Sequence, residues 1–188
     1  MKLSQFIYRC FYFLKTRFLA WQKKEHSAYM RQNILKLGGK IGKNVRIDRD
    51  VIISGMKNVK IGNNVSIGSN CFIWANGGLE IGNNTVISRN LILHTDNHNY
   101  QGKTLPFDYQ DVSRPVKIGN NVWIGTHVKI CPGTVIEDGA IIGMGTVIFG
   151  RVPKRAIVGS PKFKVIKHRD KEHYQKLLKK KAFLRKFK

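Results

Sequence analysis

Aliphatic residues recur along the middle of the chain at a nearly fixed spacing. The step between them is six positions almost everywhere, eight at two places, and 25 at one interruption. The residues in this register are Ile41, Ile47, Ile53, Ile61, Ile67, Ile73, Ile81, Ile87, Leu93, Ile118, Ile124, Ile130, Ile136, Ile142 and Ile148. A period of six matches neither an α-helix nor an alternating strand. It is typical of a short strand followed by a turn, with the repeated side chain pointing into a shared interior.

The residues around these anchors suit tight corners. The position two before an anchor is often β-branched, as at Val45, Val65 and Val122, and the phrases IGKNV, IGNNV, IGNNT and IGNNV open at positions 41, 61, 81 and 118. Gly and Asn tolerate the positive φ angles of such turns. Three units would close one triangular coil, and stacked coils would bury a continuous apolar column. An antiparallel sandwich needs longer strands and predicts no step of six. We therefore expect a mainly β protein built as a parallel β-helix.

The charge of the chain lies at its two ends. The 188 residues carry a formal charge of +23, with nine basic and one acidic residue in 1–40, ten and eight in 41–150, and fifteen and two in 151–188. The 42% of hydrophobic residues is enough for a core. The sequence contains no stretch of 18 uncharged apolar residues, so it predicts no membrane-spanning helix, and the N-terminus does not resemble a signal peptide. We therefore expect a cytoplasmic protein.

Both basic ends are predicted to be amphipathic helices, which divides the chain into residues 1–37, a β-helix domain over 38–167 with a protruding loop at 95–116, and residues 168–188. The N-terminal apolar stripe is Leu3, Ile7, Cys10, Phe11, Leu14, Phe18 and Trp21, and the C-terminal apolar residues are Tyr174, Leu177, Leu178, Leu184 and Phe187. Helices with an aromatic face and a basic face often lie in a lipid interface. The alternative is that both helices pack on the solenoid or on each other within an oligomer.

The repeat resembles that of the hexapeptide-repeat acyltransferases, whose repeats form a left-handed parallel β-helix. The closest stretch is VKIGNNVWIGTHVKICPGTVIEDGAIIGMGTVI, followed by VGSP. It is most similar to the branch with galactoside, maltose and streptogramin acetyltransferases and the O-acetyltransferases of bacterial surface polysaccharides. The resemblance implies a homotrimer that transfers an acetyl group from acetyl-CoA to a hydroxyl without a metal. A left-handed coil follows from the resemblance alone, since parallel crossovers are ordinarily right-handed.

The register is interrupted between Leu93 and Ile118, and in a solenoid such an insertion must leave the coil as a loop. The resemblance places the catalytic base at His98, in this loop. A neutral imidazole suits the removal of a hydroxyl proton at neutral pH. Asp96, Tyr100 or a backbone carbonyl would orient the ring. The alternatives are that His98 is a solvated loop residue, or that His94 is the essential histidine.

The resemblance also implies the acetyl-CoA contacts. Trp123 would flank the pantetheine, Thr126 would lie near the thioester, and Met144 would offer a main-chain contact. Outward packing between subunits is the alternative for Trp123. Basic residues for the nucleotide phosphates are Arg151 and Lys167, with Lys162 and Lys164 as neighbours in an uncertain spacing.

The acceptor side is less defined. Asn76 stands where the galactoside enzymes carry an acceptor-binding Asp, and Trp74 or Tyr100 could stack on a sugar ring. A bacterial surface polysaccharide or its lipid-linked precursor is the expected carbohydrate acceptor, because basic helices at a membrane would place the protein beside such precursors. The alternative acceptor is an antibiotic such as chloramphenicol or a streptogramin.

Two other classes of function remain as weaker alternatives. Zinc hydratases of the carbonic anhydrase type share this fold and bind metal through three histidines. Here the close pair His94 and His98 precedes the lone His127, which is the reverse of their order; we expect His127 to line an interface or the cofactor channel. A basic nucleic-acid-binding protein would explain the charged ends, but it leaves the loop histidine unexplained and no nucleic-acid motif is present.

Overall fold

The chain winds into a triangular solenoid, as the six-residue period predicts. The structure is a computed structural model that describes residues 3–161 and 165–182. Within them, parallel sheets form the three sides. Sheet A contains β1 (Lys40–Ile41), β4 (Val59–Ile61), β7 (Leu79–Ile81), β12 (Val116–Ile118), β15 (Val135–Ile136) and β18 (Arg151–Val152). Sheet B contains β2 (Arg46–Ile47), β5 (Ser66–Ile67), β8 (Val86–Ile87), β13 (Trp123–Ile124), β16 (Ile141–Ile142) and β19 (Ile157–Val158). Sheet C contains β3 (Ile52–Ser54), β6 (Phe72–Trp74), β9 (Ile92–His94), β14 (Lys129–Ile130) and β17 (Val147–Ile148).

The anchors of the repeat form the core. All of them are buried except Ile41, which is partly buried against the same cluster. Equivalent anchors pair in register between coils, as Ile67 does with Ile87 and Ile124 does with Ile142. Each fully buried isoleucine contributes about 1.5–3 kcal/mol relative to an exposed one. The repeat therefore specifies both the register and the main stabilising term of the fold.

An asparagine ladder forms the corner between sheets A and B. Asn44, Asn64, Asn84 and Asn121 all adopt left-handed φ angles between 53° and 57°. Their side-chain amides connect successive coils, with Nδ2 of one asparagine 3.0–3.1 Å from Oδ1 of the next. These positions combine a backbone conformation that Asn tolerates with a hydrogen bond that only a short amide side chain can make.

A second ladder runs beside the first, through the preceding residue of each corner. The side-chain Oδ1 of Asn63, Asn83 and Asn120 each accepts a hydrogen bond from the backbone N–H of the coil before it. Asp138 ends this ladder, accepting from the backbone N–H of Asn120 at 2.7 Å and from its side chain. These hydrogen bonds to the charged form lower the pKa of Asp138.

The insertion leaves the solenoid at the corner between sheets C and A. It forms an antiparallel hairpin of β10 (Asp96–His98) and β11 (Asp111–Ser113). Two backbone hydrogen bonds tie its base to the coils, from Arg114 N–H to Thr95 O at 2.7 Å and from Gly133 N–H to Arg114 O at 2.9 Å. The hairpin is therefore anchored on both flanking coils rather than hanging from a flexible hinge.

The N-terminal helix α1 (Leu3–Lys36) covers the open end of the first coil. Met30 and Ile34 are buried in the solenoid core, and Ser27 Oγ accepts a hydrogen bond from the backbone N–H of Ile47 at 3.0 Å. The chain then turns at Gly39, where a Cβ would come within 2.8 Å of the Ile34 side chain. A short 3₁₀ turn, Met56–Asn58, also contacts α1. The last third of α1 therefore seals an end of the core that would otherwise be exposed.

The predicted C-terminal helix is present over a shorter range, as α2 (Lys171–Lys179). Asp170 caps its N-terminus by accepting from the backbone N–H of His173 at 2.6 Å. Tyr174 and Leu178 are exposed. Leu184 and Phe187, which the sequence assigns to the same helix, lie outside the described residues. No helix in the described part of the chain has the length and apolarity needed to cross a bilayer.

The corner ladder generates a first prediction. Asn64→Gly removes the amide hydrogen bonds but keeps the positive φ accessible, whereas Asn64→Val removes the bonds and also strains the backbone. We expect the glycine variant to lose about 1 kcal/mol of unfolding free energy and the valine variant about 1–2 kcal/mol more. Urea unfolding at one protein concentration measures both. Equal losses in the two variants would show that backbone conformation is not what selects Asn at this corner.

Candidate active site

His98 and Asp111 form a pair at the edge of the solenoid. They lie opposite each other on the two strands of the hairpin, and His98 Nδ1 is 3.1 Å from Asp111 Oδ1. The side chains are 59% and 53% exposed, respectively. An ionised carboxylate beside Nδ1 favours the tautomer with the proton on Nδ1, which leaves Nε2 free to accept a proton. The pair therefore has the chemistry of a general base.

The His98 ring is also fixed from one face. Phe107 stacks on it with ring centroids 4.0 Å apart and an angle of 8° between the planes. His98 and Tyr100 line a cavity of about 300 Å³, which Arg114 and Pro132 close from the solenoid side. Stacking and the Asp111 contact together restrict the imidazole to one orientation toward this cavity.

The hairpin tip is held by its own polar contacts. Asn99 O accepts from the backbone N–H of Asp108 at 3.2 Å, and the Asn99 side chain donates to Asp108 Oδ2 at 3.2 Å. Asp108 Oδ1 accepts from the backbone N–H of Gln110 at 2.9 Å. Gly102 packs against this carboxylate, where any Cβ would lie too close. The segment that carries Tyr100 and Phe107 is thus a structured turn.

Asp111 is the residue that sequence reasoning missed. The expected partners of the ring were Asp96, Tyr100 or a carbonyl, but Asp96 is buried at the hairpin base and the Nδ1 contact comes from Asp111. Pairing the short segments DNH and DVS as antiparallel strands would have found it, because that register sets His98 opposite Asp111. The loop composition alone does not specify the pairing.

His94 has different surroundings. It lies at the outward end of β9, where Trp74 pairs with it in the neighbouring coil. The Trp74 and His94 rings stack at 6.3 Å between centroids, and Phe72 lies 5.9 and 5.8 Å from them. Aromatic neighbours rather than a carboxylate surround His94, which makes it a member of an outward aromatic cluster on sheet C.

His127 occupies a corner of the coil. Its φ of 60° places it in a column with Asp50, Asn70 and Asn90, which all adopt left-handed φ at the corner between sheets B and C. Its Nε2 lies 3.2 Å from Nδ2 of Asn90, one coil below. In the described residues, no three His, Cys, Asp or Glu side chains gather where they could hold a metal ion.

Three of the predicted acetyl-CoA contacts lie together. Trp123 is on the outward face of sheet B and is 55% exposed, between Val86 and Ile141 of the neighbouring coils. Thr126 and Met144 are in the adjoining turns toward sheet C, and these two turns are joined by the hydrogen bond from Gly145 N–H to Thr126 O at 2.9 Å. Met144 is exposed. They form one surface at the corner of sheets B and C.

The basic residues predicted to contact the nucleotide lie elsewhere on the chain. Arg151 is on sheet A, where its Nε donates to Glu137 Oε1 at 2.8 Å. This contact and the backbone N–H of Lys154 hold the pKa of Glu137 below its ordinary value. Lys167 is exposed in the segment before α2. Lys162 and Lys164 lie outside the described residues.

The predicted acceptor residues divide between two places. Tyr100 lines the His98 cavity. Trp74 belongs to the aromatic cluster with His94, and Asn76 follows it at the corner of sheets C and A, where its carbonyl accepts from the Asn58 side chain at 2.6 Å. Hairpin and corner share one edge of the solenoid, since Thr95 N–H donates to Trp74 O at 3.0 Å.

Two grooves, each more than twice the volume of the His98 cavity, lie away from it. One, of about 710 Å³, follows the corner of sheets A and B and is lined by charged side chains that include Lys60, Glu80 and Lys154. Lys60 Nζ donates to Glu80 Oε1 at 2.8 Å, and this contact lowers the pKa of Glu80. The other, of about 720 Å³, lies between α1 and the first coil. Neither groove contains a histidine, so size alone does not locate the candidate base.

Comparison with known families agrees with this architecture. The family described as bacterial transferase hexapeptide (six repeats) matches residues 115–150. The family described as hexapeptide repeat of succinyl-transferase matches residues 58–94. The two matches flank the hairpin and cover the coils on either side of it. Both halves of the solenoid are thus similar to the hexapeptide repeats of known transferases.

Curated relatives are similar over part of their length. Galactoside O-acetyltransferase of Escherichia coli (strain K12) is 42% identical over 67 residues, which are 34% of this chain and 33% of the relative. The putative lipopolysaccharide biosynthesis O-acetyl transferase WbbJ of the same organism is 36% identical over 55 residues, which are 29% of this chain and 28% of the relative. The matched region thus spans about a third of these relatives.

Solved structures of hexapeptide-repeat enzymes have the same fold. The acetyltransferase VCA0836 from Vibrio cholerae superposes with a TM-score of 0.64 at 22% identity, covering 71% of this chain and 76% of that one. A galactoside acetyltransferase in complex with coenzyme A superposes with a TM-score of 0.59 at 31% identity, covering 64% and 60%. The predicted parallel β-helix is confirmed, and its winding is consistent with a left-handed coil.

Proposed function

We propose that this hexapeptide-repeat protein is an acetyl-CoA-dependent O-acetyltransferase and that His98 is its general base. The observation that carries the proposal is the His98–Asp111 pair on a hairpin at the edge of a hexapeptide solenoid. The similarity to a galactoside O-acetyltransferase supports the reaction, and a related galactoside acetyltransferase has been solved with coenzyme A.

The reaction assigned to the pair is a direct transfer. His98 Nε2 would accept the proton of an acceptor hydroxyl as its oxygen attacks the thioester carbonyl of acetyl-CoA. The tetrahedral intermediate would then collapse to the ester and the CoA thiolate, which takes the proton from the His98 imidazolium and so restores the neutral base. Asp111 would hold the ring and stabilise the imidazolium. Of the cysteines, Cys71 is buried in the coil, and burial raises the pKa of its thiol, which does not suit an acyl carrier.

The acetyl-CoA surface proposed here is the corner formed by Trp123, Thr126 and Met144. The exposed Trp123 ring offers a flat apolar surface for the pantetheine chain, and the exposed residue Met144 adjoins it on the next coil. These features fit a long ligand that lies along the solenoid. The high positive charge at the C-terminal end, to which Lys167 belongs, suits the CoA phosphates.

A trimer is proposed because the two halves of the site lie on different sides of a single chain. The His98 hairpin leaves the triangular cross-section at the corner of sheets C and A, whereas Trp123 faces outward from sheet B, which is the side opposite that corner. Both residues can serve one reaction only if two copies meet. A cyclic homotrimer places each hairpin against a neighbour and gives three identical sites.

The proposed acceptor is a sugar hydroxyl of a bacterial surface polysaccharide or of its lipid-linked precursor. Two features support it: the exposed aromatic rings of Trp74 and Tyr100, which could stack on a sugar, near the His98 edge, and the similarity to a putative lipopolysaccharide O-acetyl transferase. Chloramphenicol and streptogramins are the competing acceptors, and an acceptor panel decides between the two classes.

Replacement of the base gives a prediction. His98→Ala should lower the acceptor-dependent release of thiol from acetyl-CoA about 10²–10⁴-fold, because general-base assistance contributes about that much. Thiol release against a panel of glycan fragments, sugars and chloramphenicol measures it. His94→Ala is the matched control, and its activity should fall less than about tenfold. If His94→Ala were inactive and His98→Ala active, the base would be His94.

Asp111→Asn tests the partner of the base. The pair is roughly half exposed, so it stabilises the orientation of the ring by about 1 kcal/mol or less, and kcat should fall by about fivefold at most. The KM for acetyl-CoA should stay unchanged, since Asp111 does not contact the proposed cofactor surface, and the thermal midpoint should fall by no more than a few degrees. Steady-state kinetics with both substrates varied separate these effects. A larger KM with an unchanged kcat would contradict a role in holding His98.

The shared site can be tested by mixing two inactive variants. His98→Ala and Trp123→Ala chains carrying different tags are co-expressed, and trimers that contain both are isolated through the two tags. Each mixed trimer should hold one intact site of three and recover about a third of wild-type activity at limiting acetyl-CoA. If mixed trimers contain both variants in folded form and still show no activity, the whole site lies within one chain.

A further inference from the structure

The first two-thirds of α1 carries an exposed apolar stripe. Phe11, Leu14, Phe18 and Trp21 follow one another at steps of three or four residues, and each is more than half exposed. From Phe11 to Trp21 the stripe is about 15 Å long at 1.5 Å per residue. Water-facing helices seldom present four large apolar side chains in one line, so this surface requires an explanation.

The stripe faces away from the solenoid. Phe18 and Ser27 are nine residues apart, as are Trp21 and Met30, and nine residues make about two and a half helical turns. Ser27 and Met30 are buried against the first coil. The stripe and the core contact therefore lie on opposite sides of α1, and the stripe residues take no part in the core contact.

Basic side chains flank the stripe on both sides. At about 100° per residue, Lys15 lies about 80° to one side of the stripe and Arg17 about 80° to the other, with Lys24 close to the Arg17 side. All three are exposed. The single acidic residue in the sequence of α1 is Glu25, one turn beyond Trp21, where the stripe ends. Tyr12 and Phe13 are exposed beyond these edges, and an apolar line between two basic edges is found in helices that lie in a lipid interface.

A basic groove continues the Lys24 side of the helix. It runs between α1 and the first coil and is lined by Lys24, Arg31 and Arg46, together with Asp48. Arg46 is 3.6 Å from Asp48 at one end of the groove. The positive charge near the stripe thus extends from the helix onto the solenoid, which is complementary to an anionic headgroup layer.

A second copy of this chain suits the stripe less well. Packing two stripes together would bring Lys15, Arg17 and Lys24 of both copies along the same seam, with Glu25 as the one opposite charge on each helix. Like charges across a helix contact are destabilising. An anionic bilayer accepts the aromatic rings and neutralises the flanking cations at the same time.

We propose that the Phe11–Trp21 stripe of α1 binds an anionic lipid surface, with the helix lying parallel to the bilayer. The first coil would then be the end of the solenoid nearest to the membrane, because the membrane face and the core face are opposite sides of α1. This proposal does not depend on the acetyltransferase proposal, since it uses none of the residues assigned to acetyl transfer.

The experiment is co-sedimentation of the full chain with vesicles. Vesicles of phosphatidylcholine with phosphatidylglycerol are compared with vesicles of phosphatidylcholine alone, at about 0.1 and about 0.5 M salt, where screening of the lipid charge differs severalfold. The test variant is Phe11→Ser with Phe18→Ser. Its matched control is Phe149→Ser, which removes an exposed phenyl ring from the solenoid. Light scattering gives the mass of every variant without vesicles.

The expected result is binding of the wild type to the anionic vesicles only, weakened at the higher salt. The double variant should bind at least about tenfold more weakly, because it lacks two phenyl rings that would be buried in the lipid when the wild type is bound. Phe149→Ser should bind like the wild type. Equal binding of the double variant and the wild type would overturn the proposal. So would a fall in particle mass of the double variant together with no vesicle binding by the wild type, which would assign the stripe to contacts between copies.

Discussion

The corner between successive short strands is the constraint on which this structure depends. Each strand is two or three residues long and cannot bury anything by itself, so every coil is stable only when its backbone and side chains continue into the next coil. Asn64 shows how one position meets both demands. Its φ of 57° turns the chain, and its amide bonds the equivalent asparagines above and below. The apolar column inside and the amide ladders outside therefore specify the same register.

This constraint also decides where functional groups can appear. Side chains at anchor positions must be apolar, and corner positions must accept left-handed φ, so reactive residues are limited to outward strand positions and to insertions. The hairpin uses the second route. It leaves at one corner between two complete coils, where Arg114 and Gly133 restore the backbone hydrogen bonds, and it carries His98 without disturbing the core. His127, by contrast, is at a corner of the coil, which accounts for its contact with Asn90.

Most of the fold could be predicted from the sequence because the period of six is tied directly to burial. The anchors from Ile47 to Ile148 are buried as expected. The site was only partly predictable. The solenoid register gives no information inside the insertion, so the partner of His98 depended on a strand pairing that two three-residue segments do not reveal. The orientation of α1 could not be predicted either, because the sequence of an apolar stripe does not show whether it faces the core or the solvent. The contacts of Ser27 and Met30 with the first coil show which side of α1 faces the core.

The two proposals share one geometric consequence. In the proposed trimer, cyclic symmetry makes the three first coils point the same way along the axis, so three copies of α1 lie at one end of the particle and their stripes can face a single plane. Weak attachment of one short stripe then becomes attachment through three, with the gain in avidity that linked sites have. The His98 hairpins, between the third and fourth coils, would stand above that plane at equal heights. An acceptor carried on a membrane lipid would be presented to all three sites at a similar distance, whereas a freely diffusing acceptor would gain nothing from that arrangement. Attachment through α1 therefore favours a lipid-linked acceptor over a diffusible one.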